Sequence, residues 1–526
     1  MDKRRLKAIL IKDPVNAGAL GDLGHALRSA GDAKGAATTF LRALHIDPSF
    51  FAAAQQLGEI LHKVGHLDVA SSFYRQALAG EPAFSAAMAN LAICSEELGL
   101  QEDSRRGYER ASRLDPGNRT IAMNVIMSRL YDPDATLQDI RRAADIFSSR
   151  FGKPARSVAG TGSETPALGF VSGDFRNHAV GHLVLPTLER LARMGHRIVC
   201  YATSAKEDEV TNRFKAASSE WRAVRTLSDR DLADRIRSDK IDILFDLAGF
   251  TAETRLAAFD LRPAPVQIAW AGFPATTGLA SIDYMIADWH QVPEEAEPFY
   301  SEKMLRLPHS YVAFAPPASP PPSPLPALNA GFVTFGSFNA AKKLNDRVIA
   351  AWARLLQTIP TARLTLKAEA FSLQGCVARY LAEFGKAGIA PARLTFLGAT
   401  DRAAHMQAMA SVDVALDPFP YSGGQTTLEL LWSGLPMITL PGVTMASRHT
   451  AGYLRTVGLD ELIAEDLDGY IAKAVALASD MPRISHLRET MRDRLSASPL
   501  CDLDAFAGDM RDVLCAAWAR HRAGPE

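Results

Sequence analysis

Apolar positions recur through the first 118 residues with a period of 34. Leu20, Leu23, Gly24, Leu27, Gly31, Ala36, Phe40, Ala43 and Pro48 form one register. The same offsets give Ala54, Leu57, Gly58, Leu61, Gly65, Ala70, Tyr74, Ala77 and Pro82, then Met88, Leu91, Ala92, Ser95, Gly99, Ser104, Tyr108, Ala111 and Pro116. This spacing predicts one antiparallel helix pair per unit, over 17–50, 51–84 and 85–118. A small residue lets the helices approach, an aromatic fills the gap between units, and Pro ends each pair because it cannot continue a helix. The third unit is degraded at Ala92, Ser95 and Ser104, as expected of a terminal repeat. Residues 2–13 read as the second helix of an incomplete leading unit. Ile121–Leu130 and Leu137–Phe151 read as transitional helices, and the Gly/Ser/Thr-rich run Ala159–Thr165 as a flexible joint. Such a stack is either a spacer or a concave groove for a polypeptide.

From Ala167 the period shortens to apolar runs separated by amphipathic helices. Strands are expected at Leu168–Val171, Arg197–Ala202, Ile243–Leu247, Val266–Ala269 and Tyr284–Ala287, with a helix at Leu183–Met194. A second series follows at Phe332–Phe335, Arg363–Leu366, Leu394–Leu397, Val412–Leu416 and Met437–Leu440, with helices at Val348–Leu356, Ala403–Met409 and Thr427–Trp432. From about Ile484 to Arg520 the chain turns helical. Strand–helix alternation predicts two doubly wound parallel sheets, with a ligand cleft between them at the carboxyl ends of the strands. The Pro-rich run Pro316–Pro326 reads as the linker between them. The expected division is a repeat array over 1–130, linker helices over 131–165, a first Rossmann-like half over 166–315, a linker over 316–328, a second half over 329–480, and C-terminal helices over 481–526.

At 526 residues and roughly 150 per domain, several domains are required in any case. Lys and Arg number 58 against 59 Asp and Glu, a formal net charge of −1, so neither nucleic acid nor an anionic membrane is expected as a partner. No apolar run is long enough to span a bilayer. The five cysteines form no CxxC and no Cys/His cluster, which fits a reducing cytoplasm and no structural zinc.

The densest candidate chemistry lies in Asp417-Pro-Phe-Pro-Tyr-Ser-Gly-Gly-Gln-Thr-Thr-Leu-Glu429, between a strand and a helix. Gly423 and Gly424 allow close approach of a ligand. Gln425, Thr426 and Thr427 would offer free N–H groups and hydroxyls to a phosphate at a helix start, and Glu429 could hold two ribose hydroxyls. The alternative is an ordinary Gly-rich turn with a Thr cap. In Gly336-Ser-Phe-Asn339-Ala-Ala-Lys342-Lys343, a lysine at a strand's carboxyl end can neutralise a leaving diphosphate. The two lysines diverge, so only one points inward. In Gly173-Asp174-Phe-Arg-Asn177-His178-Ala-Val-Gly181-His182, His178 is a candidate base or acceptor-orienting group, or else a helix cap. The loop Arg262–Gly278 suits a sugar's hydroxyl face or is a structural turn. P-loop, GxGxxG and GxSxG motifs are absent. The Asp-x-Asp pairs at Asp132/Asp134, Asp466/Asp468 and Asp502/Asp504 follow no convincing buried strand, which argues against a metal site.

A repeat array ahead of GDFRNHAVGH, DLAGFTAETRL, RPAPVQIAWAGFPATTG, GSFNAAKKLN and YSGGQTTLELLWSGLP resembles the O-GlcNAc transferase/SPINDLY family, glycosyltransferase family 41, over essentially the whole chain. The resemblance implies a tetratricopeptide α-solenoid followed by a GT-B glycosyltransferase. It implies metal-independent, inverting transfer to Ser or Thr of proteins, without a cofactor. By the same resemblance Lys343 stabilises the leaving diphosphate, Thr426 and Thr427 bind phosphate, and Glu429 binds ribose. His405 packs near the base, Arg402 stands for a ribose-contacting lysine, and His178 and Asp239 match proposed bases. Asn339, Gln425 and Gly424 fall in the donor-binding segments. Ala340, Gln425 and Ala408 depart from the animal pattern, at nucleotide and sugar contacts. The expectation is a cytoplasmic protein O-glycosyltransferase using UDP-GlcNAc, with the protein acceptor held in the repeat groove and oligomerisation through the array possible. Another nucleotide sugar such as GDP-fucose, a bacterial surface protein or flagellin as acceptor, and an inactive repeat adaptor remain as alternatives.

Overall fold

A computed structural model describes residues 3–155 and 158–523. Helices Ala17–Ser29 and Ala33–Ile46, Phe51–Lys63 and Leu67–Gly80, and Ser85–Glu97 and Gln101–Leu114 form three pairs in the predicted register, preceded by Lys3–Lys12. The repeated Gly31, Gly65 and Gly99 sit at φ +83°, +83° and +78°, the left-handed turn after a helix that glycine adopts without steric cost. The aromatic packs against the small residue of its own unit, and Phe40 also shares a buried cluster with Ala53, Ala54 and Leu57 of the next unit. A Cβ on Gly24 would lie 2.6 Å from the Phe40 ring, and one on Gly58 2.6 Å from Tyr74.

The stack does not stop at the third unit. Arg119–Tyr131 starts one 34-residue period after Ser85–Glu97 and packs on Leu137–Phe151. Its turn, 132–136, is longer than the three-residue turns of the earlier units, which obscures the repeat in the sequence. This last pair is a docking element. Phe147 is 1 % exposed and meets Phe250 of the first α/β half at 4.7 Å between ring centroids. The Arg119 guanidinium lies 5.2 Å from the Phe147 ring centroid and 3.8 Å from Asp260. Leu67, Tyr74, Cys94, Ile126 and Phe147 belong to the same apolar cluster as both sheets, so the array and the α/β halves share one core.

The first sheet contains β1 (Leu168–Ser172), β2 (Ile198–Ala202), β3 (Glu220–Ala223), β4 (Ile243–Asp246), β5 (Val266–Ala269), β6 (Tyr284–Ala287) and β7 (Lys303–Arg306). They are all parallel, in the order β3-β2-β1-β4-β5-β6-β7. The second contains β8 (Thr334–Ser337), β9 (Arg363–Lys367), β10 (Leu394–Leu397), β11 (Val414–Leu416) and β12 (Met437–Ile438), ordered β10-β9-β8-β11-β12 and also parallel. β3 and β7 escape a reading based on apolar runs because they are edge strands carrying charge (EWRA and KMLR). The strand expected at 332–335 begins two residues later, after a left-handed turn at Gly331. That expected at 437–440 stops at Ile438, where Thr439 bridges instead to Ile463.

Two connections are anchored rather than loose. In the Pro-rich run, the Ser323 carbonyl accepts from Nε of the buried Arg488 at 2.7 Å, and Ser319 Oγ from Trp432 Nε1 at 2.9 Å. The joint at 159–165 is tied by Thr161, whose N–H and hydroxyl donate to the buried Asp242, and by the Ser163 carbonyl, which accepts from Trp518. The C-terminal helices are Met481–Ser496 and Leu503–Ala523; the second returns to pack on Ala179–Arg193 of the first half.

Because Phe147 sits where array and sheet share a core, Phe147→Ala should destabilise the protein by about 3 kcal/mol or more. The measurement is the chemical-denaturation midpoint. A midpoint equal to wild type would show that the last helix pair docks without that ring.

Candidate functional site

The carboxyl end of β8 runs into a short 3₁₀ turn, Ala341–Lys343, and that of β11 into the segment ending at helix Gln425–Trp432. Since β8 and β11 are neighbours, these two loops converge. Lys343 Nζ donates to the Ser422 carbonyl at 2.7 Å and to Asn339 Oδ1 at 3.2 Å, and lies 4.4 Å from the centroid of the Tyr421 ring. A fraction of the residue's surface still reaches solvent, but its surroundings are dense. Burial pushes the Lys343 pKa down to about 8, with Asp417 opposing that shift and Lys342 adding to it. Lys342 turns the other way, toward Glu96 of the array, at 3.3 Å.

Helix Gln425–Trp432 has no side-chain cap. The first N–H in its opening turn to find a backbone acceptor is that of Thr427, on the Gly424 carbonyl. The N–H groups of Gln425 and Thr426 have no acceptor among the described residues. A Cβ on Gly423 would lie 2.4 Å from Thr427 Oγ1, while nothing lies within 4 Å of one on Gly424. Glycine is thus required sterically at Gly423, and the space beside Gly424 is open. Two buried polar atoms at the site lack partners: Asn339 Nδ2 and Gln425 Oε1. Buried orphans of this kind are costly unless a ligand or water satisfies them. Glu429 Oε1 accepts weakly from Gln425 Nε2 at 3.3 Å.

Thr427 departs from the expectation of a phosphate-binding hydroxyl. It is fully buried, and its Oγ1 is 2.8 Å from Thr450 Oγ1. Its side chain secures the turn, leaving Thr426 as the half-exposed hydroxyl at the helix start.

On the facing half, His178 caps helix Ala179–Arg193, its Nδ1 accepting from the Val180 N–H at 3.3 Å. A neutral ring held this way carries its proton on Nε2, so the free nitrogen presents a donor. The Asp174 carboxylate lies 3.4 Å from the same Nδ1. Burial lowers the His178 pKa, with Asp174 opposing. His182 Nε2 donates to Asn177 Oδ1 at 2.8 Å. Burial lowers its pKa too, and the charges of Glu429 and Arg402 reach it across the cleft. The two halves meet directly beside the site, where Gln291 Nε2 of the first donates to the Arg448 carbonyl of the second at 3.4 Å. Arg402 is exposed at the start of helix Arg402–Ala410, and His405 meets Phe338 edge-on at 5.8 Å. Burial lowers the His405 pKa, helped by Lys367 and Arg402.

Asp239 is not brought to this cleft. It ends helix Asp229–Ser238, before β4, and accepts from Tyr201 Oη at 3.0 Å and from Arg222 at 3.0 and 3.2 Å. A buried carboxylate with these partners is a structural ion pair. In the loop after β5, the Thr276 and Thr277 hydroxyls are buried against the Glu302 carboxylate, so these two side chains secure a turn, while Ala271 and Gly272 at the start of the loop remain partly exposed.

Three site residues emerge only from the structure. Asp417 is buried, accepts from the Gly423 N–H at 2.8 Å and from Thr439 Oγ1 at 2.7 Å, and burial pushes its pKa up to about 6. It opens the Gly-Gly motif, which was the available signal. His449 Nδ1 donates to Gln291 Oε1 of the first half at 2.9 Å, and burial, then Lys343, push its pKa down to about 3. Tyr131, from the array, stacks on Tyr421 at 4.9 Å. Among the described residues no cluster of three or more His, Cys, Asp or Glu could hold a metal ion.

A family model described as glycosyl transferase family 41 matches residues 153–314 and 326–510. The chain belongs to glycosyl transferase family 41. A tetratricopeptide-repeat model matches residues 3–49. Among relatives of this family-41 protein, the tomato (Solanum lycopersicum) protein named as a probable UDP-N-acetylglucosamine–peptide N-acetylglucosaminyltransferase SPINDLY is 34% identical over 423 residues. That match covers 78% of this chain and 45% of the tomato protein. The Caenorhabditis elegans UDP-N-acetylglucosamine–peptide N-acetylglucosaminyltransferase is 24% identical, covering 72% of this chain and 42% of the worm protein. The chain thus spans less than half the length of these relatives. A solved structure of a mutant O-GlcNAc transferase from Thermobaculum terrenum superposes with TM-score 0.86 at 30% identity, covering 96% of this chain and 98% of that one. The architecture is therefore a tetratricopeptide array followed by the two Rossmann-like halves of a GT-B fold.

Lys343 provides a pH test of the site. Its folded pKa lies below the usual 10.5, so the charged form is disfavoured in the native state. That penalty is complete below about pH 8 and vanishes as pH rises toward 10.5. Relative to Lys343→Met, wild-type stability should therefore rise between pH 8 and 10, by on the order of 1–3 kcal/mol. Denaturation of both proteins across that window measures it; a constant difference would place the ammonium in solvent.

Proposed function

We propose that this chain is an inverting protein O-glycosyltransferase that moves a sugar from a nucleotide sugar, UDP-GlcNAc in our reading, to Ser or Thr of a protein acceptor. One observation carries the reading: a desolvated lysine on the loop after β8 and two unpartnered helix-start N–H groups on the loop after β11 come together at the carboxyl edge of the second sheet. An anionic diphosphate satisfies both, through the helix start and through the lysine's charge. The orphaned Asn339 Nδ2 and Gln425 Oε1 suit further polar contacts with the donor, and Glu429 lies within reach of a ribose. The names carried by the plant and worm relatives support GlcNAc as the sugar.

In this mechanism the acceptor hydroxyl attacks the anomeric carbon from the face opposite the diphosphate. The carbon–oxygen bond to the diphosphate breaks as the new glycosidic bond forms, and the hydroxyl proton passes to a base or to water in the cleft. Lys343 meets the charge that develops on the leaving oxygens, and no covalent enzyme intermediate, metal or cofactor is required. His178, at the start of its helix across the cleft, positions the acceptor. The acceptor enters beside the array, where a cavity of about 870 Å³ lies between repeats and second half, lined by His62, Tyr74, Asn90, Glu97, Lys342 and Ala370.

Calorimetric titration with UDP and GDP, followed by mass spectrometry of a candidate acceptor incubated with the matching sugar nucleotide, tests the reading. Binding of neither nucleotide would reduce the chain to a repeat adaptor; GDP binding alone would replace the donor. With the donor identified, Lys343→Ala should lower kcat by about 10²-fold while the fold is retained. Turnover within a few-fold of wild type would remove the lysine from the mechanism. Glu429→Ala should instead raise the donor KM with little change in kcat, because a ribose contact is equal in ground and transition states. An unchanged KM would move the ribose site elsewhere.

A further inference from the structure

We propose that the repeat array is itself part of the donor site, with Tyr131 and Glu96 acting as positioning residues for Lys343. The proposal rests on the reading of Lys343 as the leaving-group cation. Lys343 ends a 3₁₀ turn of three residues, a unit too short to be stiff by itself. The array grips that turn from several directions. Glu96 Oε1 accepts from Lys342 Nζ at 3.3 Å, and Gln101 Nε2 donates to the Lys342 carbonyl. Gly99 closes over the turn at φ +78°. A Cβ there would lie 2.6 Å from Tyr380 Oη and 3.1 Å from the Leu344 carbonyl, while Tyr380 Oη donates to the Ala341 carbonyl at 3.0 Å.

The second grip is aromatic. Tyr131, the last residue of helix Arg119–Tyr131, stacks on Tyr421 with ring centroids 4.9 Å apart and planes 23° from parallel. Tyr421 is the ring beneath Lys343 Nζ, and the Tyr131 ring lies 5.1 Å from Lys342 Nζ. The four side chains form one row across the boundary between array and second half, two stacked rings with a lysine at either end. A cation over a ring is held only as well as the ring is oriented, and Tyr131 fixes the Tyr421 plane. Glu96 meanwhile balances Lys342, whose like charge disfavours the Lys343 ammonium. A displacement of the lysine by about 1 Å is enough to lose much of the stabilisation of the departing group.

The test uses the full chain and cleavage of the sugar nucleotide by water, with no protein acceptor, so that lost acceptor recognition does not enter. The probe is UDP-GlcNAc, or GDP-fucose if calorimetry selects GDP. Tyr131→Ala should lower kcat by about 10-fold or more with KM within about 2-fold of wild type, whereas Tyr131→Phe, which keeps the stacked ring, should restore kcat. In a Lys343→Met background Tyr131→Ala should cost nothing further. Glu96→Gln, which keeps shape and removes charge, should show a smaller loss of the same kind, and serves if Tyr131→Ala fails to fold. Wild-type kcat in both array variants, beside a large loss in Lys343→Met, would overturn the positioning role and leave the reading of Lys343 standing. A Tyr131→Ala loss of equal size in both backgrounds would overturn it as general structural damage. Full activity in Lys343→Met would defeat the underlying reading, and the proposal with it.

Discussion

The withdrawal of one ammonium group from water governs the arrangement of this site. A lysine stripped of solvent needs its three protons directed at acceptors and its charge balanced nearby. Here the Ser422 carbonyl and Asn339 Oδ1 take hydrogen bonds, the Tyr421 face lies alongside, and Asp417 supplies the opposing charge. Asp417 does more than balance charge. By accepting from the Gly423 N–H and from Thr439, it holds the Gly-Gly turn against β12, and so fixes where the helix after it begins. The buried Thr427–Thr450 contact secures the next residues. Cation and helix start are thus positioned by one connected network. The arrival of a diphosphate would be met by charge already in place rather than by groups that must reorient.

The same network explains why the array cannot be regarded as an appendage. Leu67 and Tyr74 of the second unit, Cys94 of the third, and Ile126 and Phe147 of the fourth pair lie in one apolar cluster with both sheets. Successive units touch different parts of the α/β region. The turn at Gly65 meets Leu373, that at Gly99 meets Tyr380, Arg119 reaches Asp260, and Ala144 meets Gly278. A solenoid joined through several units transmits its position to the domain it contacts, because packed interfaces do not deform continuously. The repeat stack and the proposed donor site therefore share a wall. Removing the array to separate recognition from catalysis would also remove part of the core.

Fold was legible from the sequence wherever a period repeats. The 34-residue register located six helices, and short apolar runs located ten of the twelve strands. What escaped had weak local signals for physical reasons. β3 and β7 are charged edge strands, and the fourth pair reads as two transitional helices rather than a repeat because its turn is lengthened. For the site, motif spacing brought out the Lys342/Lys343 pair, Gly424, Gln425, Thr426 and Glu429, the family resemblance chose Lys343, and the structure brings these segments together. Spacing could not show that the Thr427 hydroxyl is turned into the core, that Asp239 belongs to an ion pair with Arg222, or that Tyr131 reaches Tyr421 from some 290 residues away. Each depends on tertiary neighbours rather than on local pattern. The Pro-rich run does join the two halves, as its composition suggested, but composition could not show that the buried Arg488 fastens it.

The proton of the acceptor poses a sharper question than the leaving group. Asp239 lies outside the cleft, so of the two bases that the family resemblance suggested, only His178 stands at this edge. Its ring faces two incompatible demands. The Val180 N–H, at 3.3 Å, needs a lone pair on Nδ1. The Asp174 carboxylate, at 3.4 Å, favours a proton on the same atom. Only the second state leaves Nε2 with a lone pair able to take a proton. The helix cap therefore holds the ring in its donor form, and base function requires breaking that bond in favour of Asp174. A backbone cap is worth about 1 kcal/mol, and a hydrogen bond to an ionised carboxylate is about twice as strong as a neutral one, so the exchange is accessible at small cost. In the proposed mechanism His178 would thus orient an acceptor hydroxyl with the cap intact, and accept its proton only once the cap is surrendered.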